Sequence, residues 1–140
     1  MNRPLNKLKL RGADPTGNGW YGAKRGHREH NGVDYVGDAG VNVYACISGR
    51  VRVGRVYADS ARAQFRLIEI KTGRESNGTR REVKQMYVSP SVRTGDIVSA
   101  GDIIGTLQGI GDYYGGRMPN HCHVELRKNG LLTDPEPLIK

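Results

Sequence analysis

The chain has 140 residues, of which 36% are hydrophobic and 20 are glycine, a length that fits one domain with a core large enough to need no disulfide staples. Twenty-two basic against 14 acidic residues give a formal charge of +8, which favours anionic partners without choosing among nucleic acid, membrane surface and phosphorylated cell-envelope polymer. No apolar run approaches the roughly 20 residues of a spanning helix, and the basic N-terminus lacks the apolar centre of a secretory signal. The two cysteines, Cys46 and Cys122, form no disulfide framework and no paired-cysteine metal site, and read as buried thiols.

Residues 1–24 carry Pro4, Pro15 and several glycines around Trp20 and Tyr21 without periodicity. They read as an irregular basic lead-in packed on a domain formed by residues 25–140. Short β patterns follow over 33–36, 41–46, 50–57, 65–71 and 82–88, with Val51 and Val53 alternating against Arg50 and Arg52 as in a half-buried strand. The polar stretch 72–81 joins the last two as a hairpin. Gly95-Asp96 and Gly101-Asp102 each precede a short apolar strand, and their aspartates read as turn formers rather than catalysts. A glycine-rich loop over 110–120, with Tyr113, Tyr114, Arg117 and Pro119, then delivers the chain into His121. The fold class expected is mainly β: one compact domain of antiparallel sheet with little helix.

Three of the four histidines converge on one pattern. In His121-Cys122-His123 the alternation of a strand sends both imidazoles to one face and the thiol to the other. His30-Asn31-Gly32-Val33-Asp34 adds an imidazole and a carboxylate across a tight glycine connection. Three nitrogen and oxygen ligands with an open fourth position are what catalytic zinc requires, so the candidate set is His30, Asp34 and one histidine of the pair. Glu125 shares the histidine face and reads as a peripheral salt-bridge partner, and His27 as a surface residue. No interleaving of aromatic and basic residues marks a single-stranded nucleic-acid surface.

These residues resemble the lysostaphin-type zinc endopeptidases, which cut peptide cross-links of peptidoglycan. The resemblance runs from about Trp20 onward in four ordered blocks: His30 to Tyr35, Gly40 to Ala45 with Gly49-Arg50-Val51, Gly95 to Val98 with Gly101 and Ile104-Gly105, and His121 to Glu125. It implies that zinc is held by His30, Asp34 and His123, and that His121 stays beside the metal as general base or water-orienting group. It implies peptidoglycan as partner and hydrolysis of amide bonds in its peptide stems or cross-bridges as function. Lacking a visible export signal, such a domain is expected to reach its substrate in a phage particle, among tail or other virion proteins, or by release at lysis.

One position departs from the family pattern. Where a second catalytic histidine is expected two residues after a tyrosine, Met86-Tyr87-Val88-Ser89-Pro90 has Ser89. Serine donates a hydrogen bond but carries no charge, and loss of one oxyanion donor typically costs on the order of 100- to 1000-fold in rate. Tyr113, Tyr114 or Arg117, from the loop before His121, is expected to reach into the gap. The same segment resembles the leukocyte cell-derived chemotaxin-like branch of the fold. That likeness implies an alternative, a catalytically degenerate zinc-containing module that binds cell wall or protein.

Overall fold

The strand with the most partners, three, is also the one that carries the paired histidines. The structure, a computed structural model, describes residues 1–14, 18–25 and 28–140; His27 lies outside them. Its strands are β1 (Lys24–Arg25), β2 (Arg28–Glu29), β3 (Val33–Val36), β4 (Asn42–Tyr44), β5 (Gly49–Arg55), β6 (Arg66–Lys71), β7 (Arg81–Met86), β8 (Val88–Pro90), β9 (Ile97–Val98), β10 (Ile103–Leu107), β11 (His121–Lys128) and β12 (Leu131–Thr133). A single short α-helix among the described residues, α1 (Ile110–Tyr113), opens the loop before β11. The architecture is thus mainly antiparallel β, as composition and glycine content led one to expect.

The large sheet runs β12-β11-β7-β6-β5-β9, and β3 pairs with the first half of β11. A second sheet, β4-β10-β8, covers its inner face. Between them lies the core, with Val51, Ile68, Ile70, Val83, Val124 and Leu126 from the large sheet meeting Val43, Val88, Ile104 and Leu107 from the small one. The alternation of each strand explains the split: Val51 is 2% exposed while Arg50 and Arg52 face away from the core. Gln85 is a polar tie across the layers, accepting from Cys46 N at 2.9 Å and donating to Tyr44 O at 2.8 Å while fully buried.

The lead-in is ordered by backbone pairing. Arg11 N donates to Asp34 O at 2.9 Å, Val36 N to Lys9 O at 2.8 Å, and Tyr44 N to Pro4 O at 2.8 Å. It therefore runs along the edge of β3 that β11 does not use. The Gly-Asp device forms turns: Asp96 Oδ2 accepts from Arg93 N at 2.9 Å and Asp102 Oδ2 from Ser99 N at 2.8 Å, with Gly95 and Gly101 at φ 99° and 91°.

The pattern over 82–88 predicts one strand, and here the chain differs. Tyr87 adopts φ 69°, a left-handed conformation rare for a bulky residue, which ends β7 and starts β8 in the other sheet. The alternation restarts there, so Ser89 is exposed on β8 opposite Thr106.

Candidate metal centre

β3 and β11 are antiparallel neighbours with His123 directly opposite Asp34. This register brings together two groups that are 89 residues apart in sequence. His30 enters from the segment before β3, where Gly32 passes so close to β11 that a Cβ would collide with the Val124 carbonyl oxygen. Three ligand-type atoms converge: His123 Nδ1 lies 2.7 Å from Asp34 Oδ1, and His30 Nε2 lies 3.0 Å from His123 Nδ1 and 3.3 Å from Asp34 Oδ1. Bonds of about 2.0 to 2.1 Å around a tetrahedral ion put neighbouring ligands about 3.3 Å apart, so the donor set fits a four-coordinate metal with one position open. His30, Asp34 and His123 are all buried and form a group able to hold an ion.

The outer atoms of these ligands are fixed by partners. His30 Nδ1 donates to Trp20 O at 2.9 Å, which leaves Nε2 as a lone-pair donor toward the centre. His123 Nε2 lies 3.1 Å from Glu125 Oε1. Burial opposes a charge on His123, but the carboxylates of Asp34 and Glu125 outweigh it and push its pKa up to about 9. Burial alone would likewise raise the Asp34 carboxyl. The hydrogen bond from His123 and the nearby rings of His30 and His121 hold it far below the usual carboxylate range instead. An ion held here would meet a carboxylate and would take the place of the proton on His123.

His121 sits beside this group without joining it. Its Nδ1 donates to Pro119 O at 2.8 Å, so Nε2 carries the lone pair, 3.7 Å from Asp34 Oδ2. Burial lowers its pKa below the ordinary value, offset in part by Asp34. The imidazole is therefore neutral near pH 7 and able to accept a proton through Nε2.

A cleft of about 400 Å³ opens over these groups, lined by Arg11, Asn31, Tyr57, Met86, Tyr87, Met118 and Glu125 as well as the three histidines and Asp34. Ser89 and Tyr113 do not line it, and Tyr114 reaches it only through the Tyr57 hydroxyl, 3.3 Å away. Arg117 is exposed. Four wall residues escape the sequence reading. Arg11, within the basic lead-in, is 3% exposed and donates from Nη1 to Asp34 Oδ2 at 3.0 Å while Asp14 grips it at 2.7 and 2.9 Å. Glu125, read as peripheral, touches His123. Tyr57 and Tyr87 form the wall beside His121, with Tyr87 edge-on to its ring at 5.1 Å.

The fold and this site define a metallopeptidase-like β domain, and comparison with known proteins agrees. The chain belongs to peptidase family M23, whose pattern matches residues 28–135. It is 30% identical over 127 residues to leukocyte cell-derived chemotaxin-2 of Bos taurus, covering 91% of this chain and 77% of that one. The catalytic domain of the antimicrobial peptidase lysostaphin from Staphylococcus simulans superposes with a TM-score of 0.65 at 25% identity, over 96% of this chain and 93% of the other. A point mutant of the catalytic domain of the prophage-encoded M23 protein EnpA from Enterococcus faecalis shares the fold with a TM-score of 0.61 at 23% identity, over 96% and 95%.

Proposed function

We propose that the chain is a zinc endopeptidase that hydrolyses amide bonds in the peptide stems or cross-bridges of peptidoglycan. One observation carries the reading: three ligand atoms within 3.3 Å of one another lie beside a buried, neutral His121 whose Nε2 points at the same centre. His30 Nε2, Asp34 Oδ1 and His123 Nδ1 would hold the ion. Zinc bound there would polarise the scissile carbonyl and make a water nucleophilic near neutral pH. His121 Nε2 accepts the proton of the attacking water and can return it to the leaving amine. Arg11 holds Asp34 Oδ2 to one side, leaving Oδ1 for the ion. Peptidoglycan as substrate rests on the resemblance to lysostaphin-type enzymes.

The test is mass spectrometry of purified sacculi after incubation with zinc-loaded protein, with His123→Ala as control. New peptide ends that vanish in the variant are expected. A second reading, a zinc-containing module that docks a wall fragment or a protein without cutting it, is favoured by the exposed position of Ser89 away from the cleft. Untouched sacculi with zinc bound would establish it.

A further inference from the structure

The wall facing His121 is built from phenols that neither sequence periodicity nor the ligand set accounts for. Tyr57 follows β5, Tyr87 sits at the break between β7 and β8, and Tyr114 closes α1. Their hydroxyls form a chain, Tyr87 to Tyr57 at 2.8 Å and Tyr57 to Tyr114 at 3.3 Å. Phe65 packs edge-on against Tyr57, Tyr87 and Tyr113 at 6.2, 6.0 and 5.6 Å, so the rings are fixed. At the outer end Arg62 lies over the Tyr57 ring, 3.8 Å from its centroid, held by Asp59 at 2.6 and 2.9 Å.

Three hydroxyls linked by two hydrogen bonds leave one hydrogen over. Either hydroxyl of each pair can donate; negative charge forming at the Tyr87 end draws the spare hydrogen there, with Tyr114 donating to Tyr57 and Tyr57 to Tyr87. The remaining hydrogen is then that of Tyr87, at the end beside His121 and Asp34. The left-handed backbone at Tyr87, φ 69°, is what turns this side chain into the cleft, and strain of that kind persists where the surroundings over-determine it.

We propose that the Tyr87 hydroxyl donates a hydrogen bond to the oxyanion formed when water adds to the scissile carbonyl, with Tyr57, Tyr114 and Arg62 aligning it; this rests on the peptidase reading above. No proton is transferred: the hydrogen stays on the phenol oxygen and only its acceptor changes. Tyr87 is the catalytic residue in this scheme, and Tyr57, Tyr114 and Arg62 are positioning residues. Burial raises the Tyr87 pKa, which keeps the hydrogen on its oxygen across the physiological range.

Tyr87→Phe keeps the ring and its packing, so it isolates the hydroxyl. Expected is a fall in kcat of about 100-fold on sacculi with KM and bound zinc unchanged, the size typical of one lost oxyanion donor. Tyr57→Phe and Tyr114→Phe should lose less, in that order. A second arm needs no turnover: a phosphinate pseudopeptide of alanyl-glycine, whose tetrahedral oxygens mimic the oxyanion, is titrated calorimetrically into zinc-loaded wild type and Tyr87→Phe. It should bind the variant about 100-fold more weakly. A wild type that leaves sacculi intact but shows this difference defeats the peptidase reading alone. Equal kcat, or equal phosphinate affinity, in Tyr87→Phe overturns the donor role and leaves that reading standing. A phosphinate that fails to bind wild type overturns both.

Discussion

Glu125 Oε1 lies 3.1 Å from His123 Nε2, on the side of the imidazole opposite the nitrogen that faces Asp34. Glu125 is also in register with Lys84 on β7, which is opposite Glu69 on β6, which is opposite Arg52 on β5. The carboxylate beside the ligand is therefore one end of a row of alternating charges crossing four strands. Partners of this kind fix ring orientation, and their loss typically costs about 10- to 100-fold in metal affinity. Glu125→Ala should show that loss in a chelator-competition titration with zinc. Glu125→Gln should lose less, because an amide oxygen still accepts from Nε2–H.

His121 should separate from the ligands by experiment. His121→Ala is expected to retain zinc stoichiometry while turnover on sacculi falls by roughly 10²- to 10⁴-fold, the contribution of a general base. His30→Ala and His123→Ala should lose zinc and turnover together. Metal analysis after gel filtration, run beside the digest, reads both.

Gln85 bridges the two sheets with no exposure to solvent. Gln85→Ala removes both bonds, orphans the Cys46 amide and the Tyr44 carbonyl, and leaves a void, at a cost of about 2 to 4 kcal/mol. Thermal unfolding should move down by roughly 10 °C.

Glu69 gives a pH dependence remote from the histidines. It is 5% exposed, with Arg52 Nη2 at 3.3 Å and Lys71 Nζ at 3.4 Å. Burial alone would raise its pKa; the bond and charge of Arg52, with Lys71, outweigh it and hold the carboxyl below its ordinary 4.5. A folded-state pKa below the unfolded one gives stability that is full above the unfolded value and lost as pH falls through the folded one. Glu69→Gln should flatten the acid limb of the stability curve below about pH 5 in denaturant titrations.

Both thiols should be silent in the native chain. Burial pushes Cys46 up to about 12 and Cys122 well above its ordinary value, so little thiolate exists for reaction. A colourimetric thiol assay at pH 8 should count none before, and two after, addition of guanidinium.

The convergence of His30, Asp34 and the paired histidines was readable because β11 is a regular strand: alternation alone puts His121 and His123 on one face, and the short step from His30 to Asp34 keeps that pair together. The same rule failed one strand away. Continued from Val83 and Gln85, it carries Tyr87 onto the core face, but the left-handed backbone at Tyr87 breaks the period, so that the tyrosine lines the cleft and Val88 enters the core. Arg11 and Tyr57 had no local signal. Arg11 meets Asp34 across 23 residues because the lead-in pairs with β3, and Tyr57 meets Tyr87 across 30 residues from a loop. A pattern with a period reports a face; it does not report a contact made by a turn.

Along β11 each imidazole alternates with a core side chain, His121 and His123 outward, Cys122 and Val124 inward at 0% exposure. A slip of one residue against β3 would turn both imidazoles into the core, turn a thiol and a valine toward the cleft, and move His123 away from Asp34. An ion held there would double as a proofreader of strand pairing: a chain that has joined β3 to β11 out of step has no centre to fill, and metal added during refolding should draw the population toward the one alignment that does.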